Sequence, residues 1–135
     1  MLLLAVIVSI ATTQSCKRSI AVLNQQAYEN ATTLKAEALA LMDLATEKQF
    51  AEHEDEVRRL MTEISAAYEY ANGIPKNSLS AQQWESLRGS NLLGGFFSLW
   101  KSEGKLLSGD VEANRKNVED AFDEIITLEK GKIGG

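Results

Sequence analysis

Apolar residues recur every three or four positions through three long stretches of the chain, and its one proline, Pro75, lies outside all of them. A backbone with that period buries one continuous stripe only as an α-helix, at about 3.6 residues per turn. Proline inside a helix removes a backbone donor and clashes with the preceding turn, so its absence leaves the stretches intact. The first stripe is Leu23, Ala27, Ala31, Leu34, Ala38, Leu41 and Ala45, which predicts a helix over 20–46 whose small residues let a partner approach closely. The second is Val57, Leu60, Met61, Ile64, Ala67, Tyr68 and Ala71, predicting a helix over 50–71. The third is Val111, Asn114, Val118, Ala121, Phe122, Ile125 and Leu128, with Asp110 as N-cap and Gly131 as stop, leaving 132–135 as a flexible tail.

Local signals divide the rest. Thr46 and Gln49 have capping-box spacing and predict a turn before Phe50; without it, the first two helices merge into one. Asn72, Gly73 and Pro75 end the second helix. Ser80 and Gln83 repeat the capping-box spacing and open a short helix through Trp84 and Leu87, which Gly89 ends. A second short helix passes through Leu99 and Trp100 and closes at Gly104. No useful strand alternation and no solenoid period is present. The expectation is an all-α fold: an antiparallel helical bundle of three long helices plus a short helical pair, over 23–131.

Residues 2–11 read LLLAVIVSIA, far short of the roughly 20 apolar residues a membrane-spanning helix needs, but the length of a signal-peptide core. Thr12, Thr13, Gln14 and Ser15 follow, then Cys16, Lys17 and Arg18. This arrangement resembles the signal of bacterial lipoproteins, in which the cysteine becomes the mature N-terminus and carries acyl chains such as palmitate. The resemblance covers residues 1–16 and implies a signal peptide over 1–15, a lipidated Cys16 and a linker over 16–22. Lys17, in place of the Asp that signals inner-membrane retention, implies the outer membrane, facing the periplasm. Two positions depart from the pattern: Thr13 stands where an aliphatic residue is usual, and no Lys or Arg precedes Leu2. Cleavage after the small-x-small triplet Ser9, Ile10 and Ala11 is one alternative, leaving Cys16 a free thiol. A buried N-terminal helix carrying Cys16 in mid-helix is another.

Chemistry is narrowed by what the chain contains. It has one Cys and one His, so it cannot build a closed Cys/His zinc site alone. His53 and Glu56 have helical ligand spacing, but a di-iron bundle needs a second histidine; a solvated acidic first turn is the favoured reading. Neither a nucleophile elbow nor a phosphate loop is present, and Gly94-Gly95 lacks the rest of a dinucleotide fingerprint. No cofactor is expected. A net charge of −5 and no basic stripe argue against nucleic-acid binding.

Residues 74–100 hold both tryptophans and the adjacent Phe96 and Phe97. Trp84, Phe96, Phe97 and Trp100, with Tyr70 nearby, are the candidate partner-binding residues, because aromatic side chains dominate interface energetics. The favoured reading of the segment makes Trp84, Phe96 and Trp100 a plug in the end of the bundle, with one of the two phenylalanines left exposed and Gly94-Gly95 serving close backbone approach. The function expected is a non-enzymatic, lipid-anchored envelope protein that binds an unknown protein partner. The alternatives are a small periplasmic ligand-binding protein or enzyme with a pocket under 74–100, and a structural envelope spacer.

Overall fold

The described residues form a bundle of four antiparallel rods, and the third of them is broken in the middle. A computed structural model describes the backbone of residues 14–133 and the side chains of residues 25–132. The apolar run and the side chain of Cys16, on which the lipoprotein reading falls, lie outside the described residues. The helices are α1 (Gln14–Asp43), α2 (Phe50–Asn72), α3 (Ser78–Arg88), α4 (Leu93–Glu103) and α5 (Ser108–Ile133), with a short 3-10 turn at Leu44–Thr46. There is no strand among the described residues.

Ion pairs fix the sense of the rods. Lys35 Nζ meets Asp123 Oδ1 at 2.6 Å and Arg115 Nε meets Asp43 Oδ1 at 2.7 Å. These contacts are eight residues apart on both helices, so α1 and α5 run antiparallel along one register. Arg88 of α3 lies 4.0 Å over the Tyr68 ring, near the end of α2, while Lys101 of α4 pairs with Glu54, near its start. The short pair therefore lies end to end and runs opposite to α2 as the third rod. The all-α bundle expected from the stripes is the fold observed.

The stripes bury as their spacing requires. Ala31, Leu34, Ala38 and Leu41 of α1 face Val57, Leu60, Ile64 and Ala67 of α2 and Val118, Phe122 and Ile125 of α5 within one core. Leu39 and Met42 are buried as well, because α1 packs on both α2 and α5 and needs a face wider than one stripe.

Several boundaries differ from the sequence expectation. The first two helices are separate, but the N-cap of α2 is Gln49, not Thr46: the Gln49 side chain caps N3, and its backbone N–H donates to Glu52 Oε2 at 2.9 Å. That cap fits because the α1–α2 turn is stitched to the α4–α5 turn. Phe50 N–H donates to Gly104 O at 3.0 Å and Leu106 N–H to Ala45 O at 2.8 Å. Gly104 has φ 79° there, and a Cβ on it would stand 2.6 Å from Gln49 Oε1. Likewise α3 opens at Ser78 after Asn77, so Ser80 points inward instead of capping. Helix α5 opens at Ser108 and passes through Gly131 to Ile133, where a flexible tail was expected. Lys132 holds it there by bonding to Asn77, Ser80 and Glu129. The stretch 16–22 expected as a linker is helical backbone, since no Gly or Pro interrupts 14–43.

Candidate functional site

The aromatic residues proposed as a contact surface form the core. Trp84, Phe96, Phe97 and Trp100 are each at most 4% exposed. Trp84 meets Phe122 edge-on at 6.1 Å, and Trp100 meets Phe50 edge-on at 5.5 Å. The Trp100 indole N–H donates to Lys48 O at 3.1 Å, so its one polar atom is satisfied inside. Phe96 and Phe97 are both buried, 5.6 Å apart, against the expectation that one faces solvent. Adjacent helical side chains diverge by about 100°, and an apolar stripe at least that wide takes both. The signal was present: Leu93, Phe96, Phe97 and Trp100 fall at i, i+3, i+4 and i+7. These rings fill the inner face of the segment, where the alternative reading placed a pocket.

Gly94 and Gly95 serve close backbone approach. A Cβ on Gly94 would lie 2.6 Å from Arg88 O, and one on Gly95 only 1.9 Å from Ser90 O. The third rod breaks over 89–92 and restarts within four residues because two successive residues carry no side chain.

His53 is partly buried, stacked on Trp100 with ring centroids 6.1 Å apart, and its Nδ1 lies 3.1 Å from Glu56 Oε2. It is less solvated than an acidic first turn implies. Among the described residues no group of three or more His, Cys, Asp and Glu side chains is placed to hold a metal ion.

Sequence reasoning missed a buried polar cluster where α2, α3 and α5 meet. Ser80 is fully buried and Glu129 is 2% exposed. The Ser80 hydroxyl donates to Glu129 Oε1 at 2.6 Å, while Lys132 Nζ donates to Ser80 Oγ at 2.7 Å and to Glu129 Oε1 at 3.0 Å. Lys132 also donates to Asn77 Oδ1, and Asn77 Nδ2 to Ala71 O at 2.9 Å. A serine hydroxyl beside a lysine can pair a nucleophile with a base only when the lysine is the neutral amine. Here the hydroxyl is closed to any reactant and its proton already goes to a carboxylate, so the cluster ties rods together. Tyr70 belongs to the same end: burial, and then the charge of Glu129, raise its phenol above the ordinary 10.0.

Among the described residues, two seams between rods hold hollows open to solvent. One runs between α1 and α2, where the half-buried Tyr70 lines a hollow with Asn30, Leu34, Glu63 and Ala67. The other runs between α3 and α5, a hollow of about 460 Å³ floored by Leu79, Leu92 and Ala121 and edged by Gln83, Asp120 and Glu124. Leu79 is 56% exposed at this seam. No family model, curated protein or solved structure matches the chain.

Proposed function

We propose that the chain is a bacterial envelope protein, tethered by a lipid on Cys16, whose bundle binds another protein and performs no chemistry of its own. The observation that carries the binding half is the pair of seams. The large aromatic residues are committed to the core, while both seams keep apolar floors with charged edges open to solvent. The tether rests on the sequence, an apolar run over 2–11 followed by small and polar residues and then Cys16. With Lys17 next, the proposed location is the outer membrane, facing the periplasm. Acyl chains stabilise attachment by about 0.8 kcal/mol per buried methylene, and more than one chain makes it lasting.

The test is the intact mass of the protein purified from the membrane fraction of its host. The expected mass begins at Cys16 and carries acyl groups, and Cys16→Ala moves the protein out of that fraction. A mass beginning at Thr12, or an unprocessed Met1 chain in the cytosol, removes the tether.

A further inference from the structure

The α3/α5 seam combines carboxylates with a buried amide oxygen that lacks a partner, and among the described residues the α1/α2 lining holds no such atom. Its lining includes the carboxylates Asp120, Asp123 and Glu124 and no lysine or arginine; the α1/α2 hollow beside Tyr70 holds Glu29 and Glu63 and likewise no lysine or arginine, while Arg59 lines that seam further along. Asp120 is paired with Lys116 and Asp123 with Lys35, but Glu124 makes no ion pair among the described residues. Gln83 lines both halves of the seam, and its Oε1 is buried without a hydrogen-bond partner. An acceptor left in that state is costly, and a turn of the Gln83 side chain into the seam presents it to a donor brought by a ligand. Beside these acceptors lie Leu79, Leu92, Ala121 and Leu128, so the seam offers apolar contacts next to an anionic, acceptor-rich lining.

Resting on the protein-binding reading, we propose that the α3/α5 seam docks a cationic amphipathic helix of the partner protein. Leucine-type side chains of that helix meet the apolar contacts, and its Lys or Arg side chains meet Glu124, Asp120 and the Gln83 carbonyl. Charge complementarity selects this occupant: an acidic or neutral helix leaves Glu124 uncompensated, and a cationic one does not. Size agrees. The lining runs from Asn117 to Leu128 on α5, a rise of about 16 Å, which matches about three turns of a docked helix.

The experiment is site-specific photocrosslinking of the full chain in its host. A benzophenone amino acid is placed at Gln82 or Asn117 in the α3/α5 seam, and at Ala40 or Ala66 in the α1/α2 seam, all exposed positions. The expected adduct forms from Gln82 and Asn117, and its crosslinked segment is a Lys- or Arg-bearing amphipathic helix. Asp120→Asn with Glu124→Gln lowers the adduct yield about tenfold. Leu79→Ser, which leaves the charges in place, lowers it as well, and an unchanged thermal melt shows that each variant folds. Adducts only from Ala40 or Ala66 overturn this docking site and keep the protein-binding reading. An adduct from Gln82 to an acidic or uncharged segment overturns the cationic occupant. Loss of every protein adduct overturns both.

Discussion

Glu129 is a carboxylate with almost no contact with water, and its tolerance rests on Ser80 and Lys132. Removing one partner of a buried pair leaves an uncompensated charge and costs about 3–5 kcal/mol. Lys132 keeps part of its side chain in solvent, so Lys132→Met is expected to cost less, about 2 kcal/mol, read as a lower urea midpoint. Adding Glu129→Leu to Lys132→Met should recover most of that loss; a double variant no better than the single one shows that packing, not charge, sets the cost. Tyr70 gives the pH dependence of the same corner. Its folded phenol titrates above 10.0, so its contribution to stability is complete below pH 10.0 and is lost as pH rises through the higher folded value. Alkaline unfolding should be shallower in Tyr70→Phe, and an identical pH profile for the two proteins contradicts the assignment. Neither partner of Glu129 could be read from the sequence. Ser80 has the spacing of a cap, and Glu129 and Lys132 have the appearance of a solvated helix end; only the meeting of three rods buries them.

The elements follow from side-chain period where packing is one-sided and depart from it where packing is not. The stripes of α2 and α5 predicted their buried faces, because each alternative face is charged and must stay wet. Boundaries were less legible. The capping box that forms at Gln49 uses Glu52, and it is favoured over Thr46 by hydrogen bonds to Gly104 and Leu106, far along the chain. The candidate site was least legible: its aromatic content fits either a contact surface or a core plug, and the i, i+3, i+4, i+7 spacing of α4 is what marks core. Three of the glycines in helices separate these causes. Gly95→Ala drives a Cβ into a backbone carbonyl that flexible side-chain motion cannot clear, and the expected loss is at least about 2 kcal/mol. Gly94→Ala meets the same obstacle less severely. Gly131→Ala finds nothing within 4 Å inside a continuous helix and should gain about 0.5 kcal/mol. Thermal melts of the three variants decide this. A harmless Gly95→Ala denies that the close approach breaks the third rod, and a damaging Gly131→Ala denies that α5 continues to Ile133.

Across the whole molecule, the register of the rods gives the bundle a near end and a far end relative to the proposed tether. Helix α1 is described from Gln14, and contacts of Gln26, Asn30 and Lys35 place the C-terminal halves of α2 and α5 beside its middle turns, on the side toward its N-terminus. The α2–α3 connection therefore lies toward Cys16, and the α4–α5 turn with the 77% exposed Leu107 lies at the other end. Helix α2, at 23 residues, separates the two by about 35 Å. The near end exposes Lys76 and Lys130, which suit an anionic headgroup layer, while the far end exposes Lys48 and Lys105 together with Glu47, Glu103 and Asp110. Cys16 is the only cysteine, and acylation consumes its thiol, so a cysteine introduced elsewhere takes a dye alone. In acylated protein bound to vesicles with acceptor-labelled headgroups, dye at Lys76→Cys should transfer energy more efficiently than dye at Leu107→Cys. The ordering requires both the lipid on Cys16 and the antiparallel register. Equal transfer from the two positions means that the bundle lies flat on the membrane, and the reverse order places the tether at the other end.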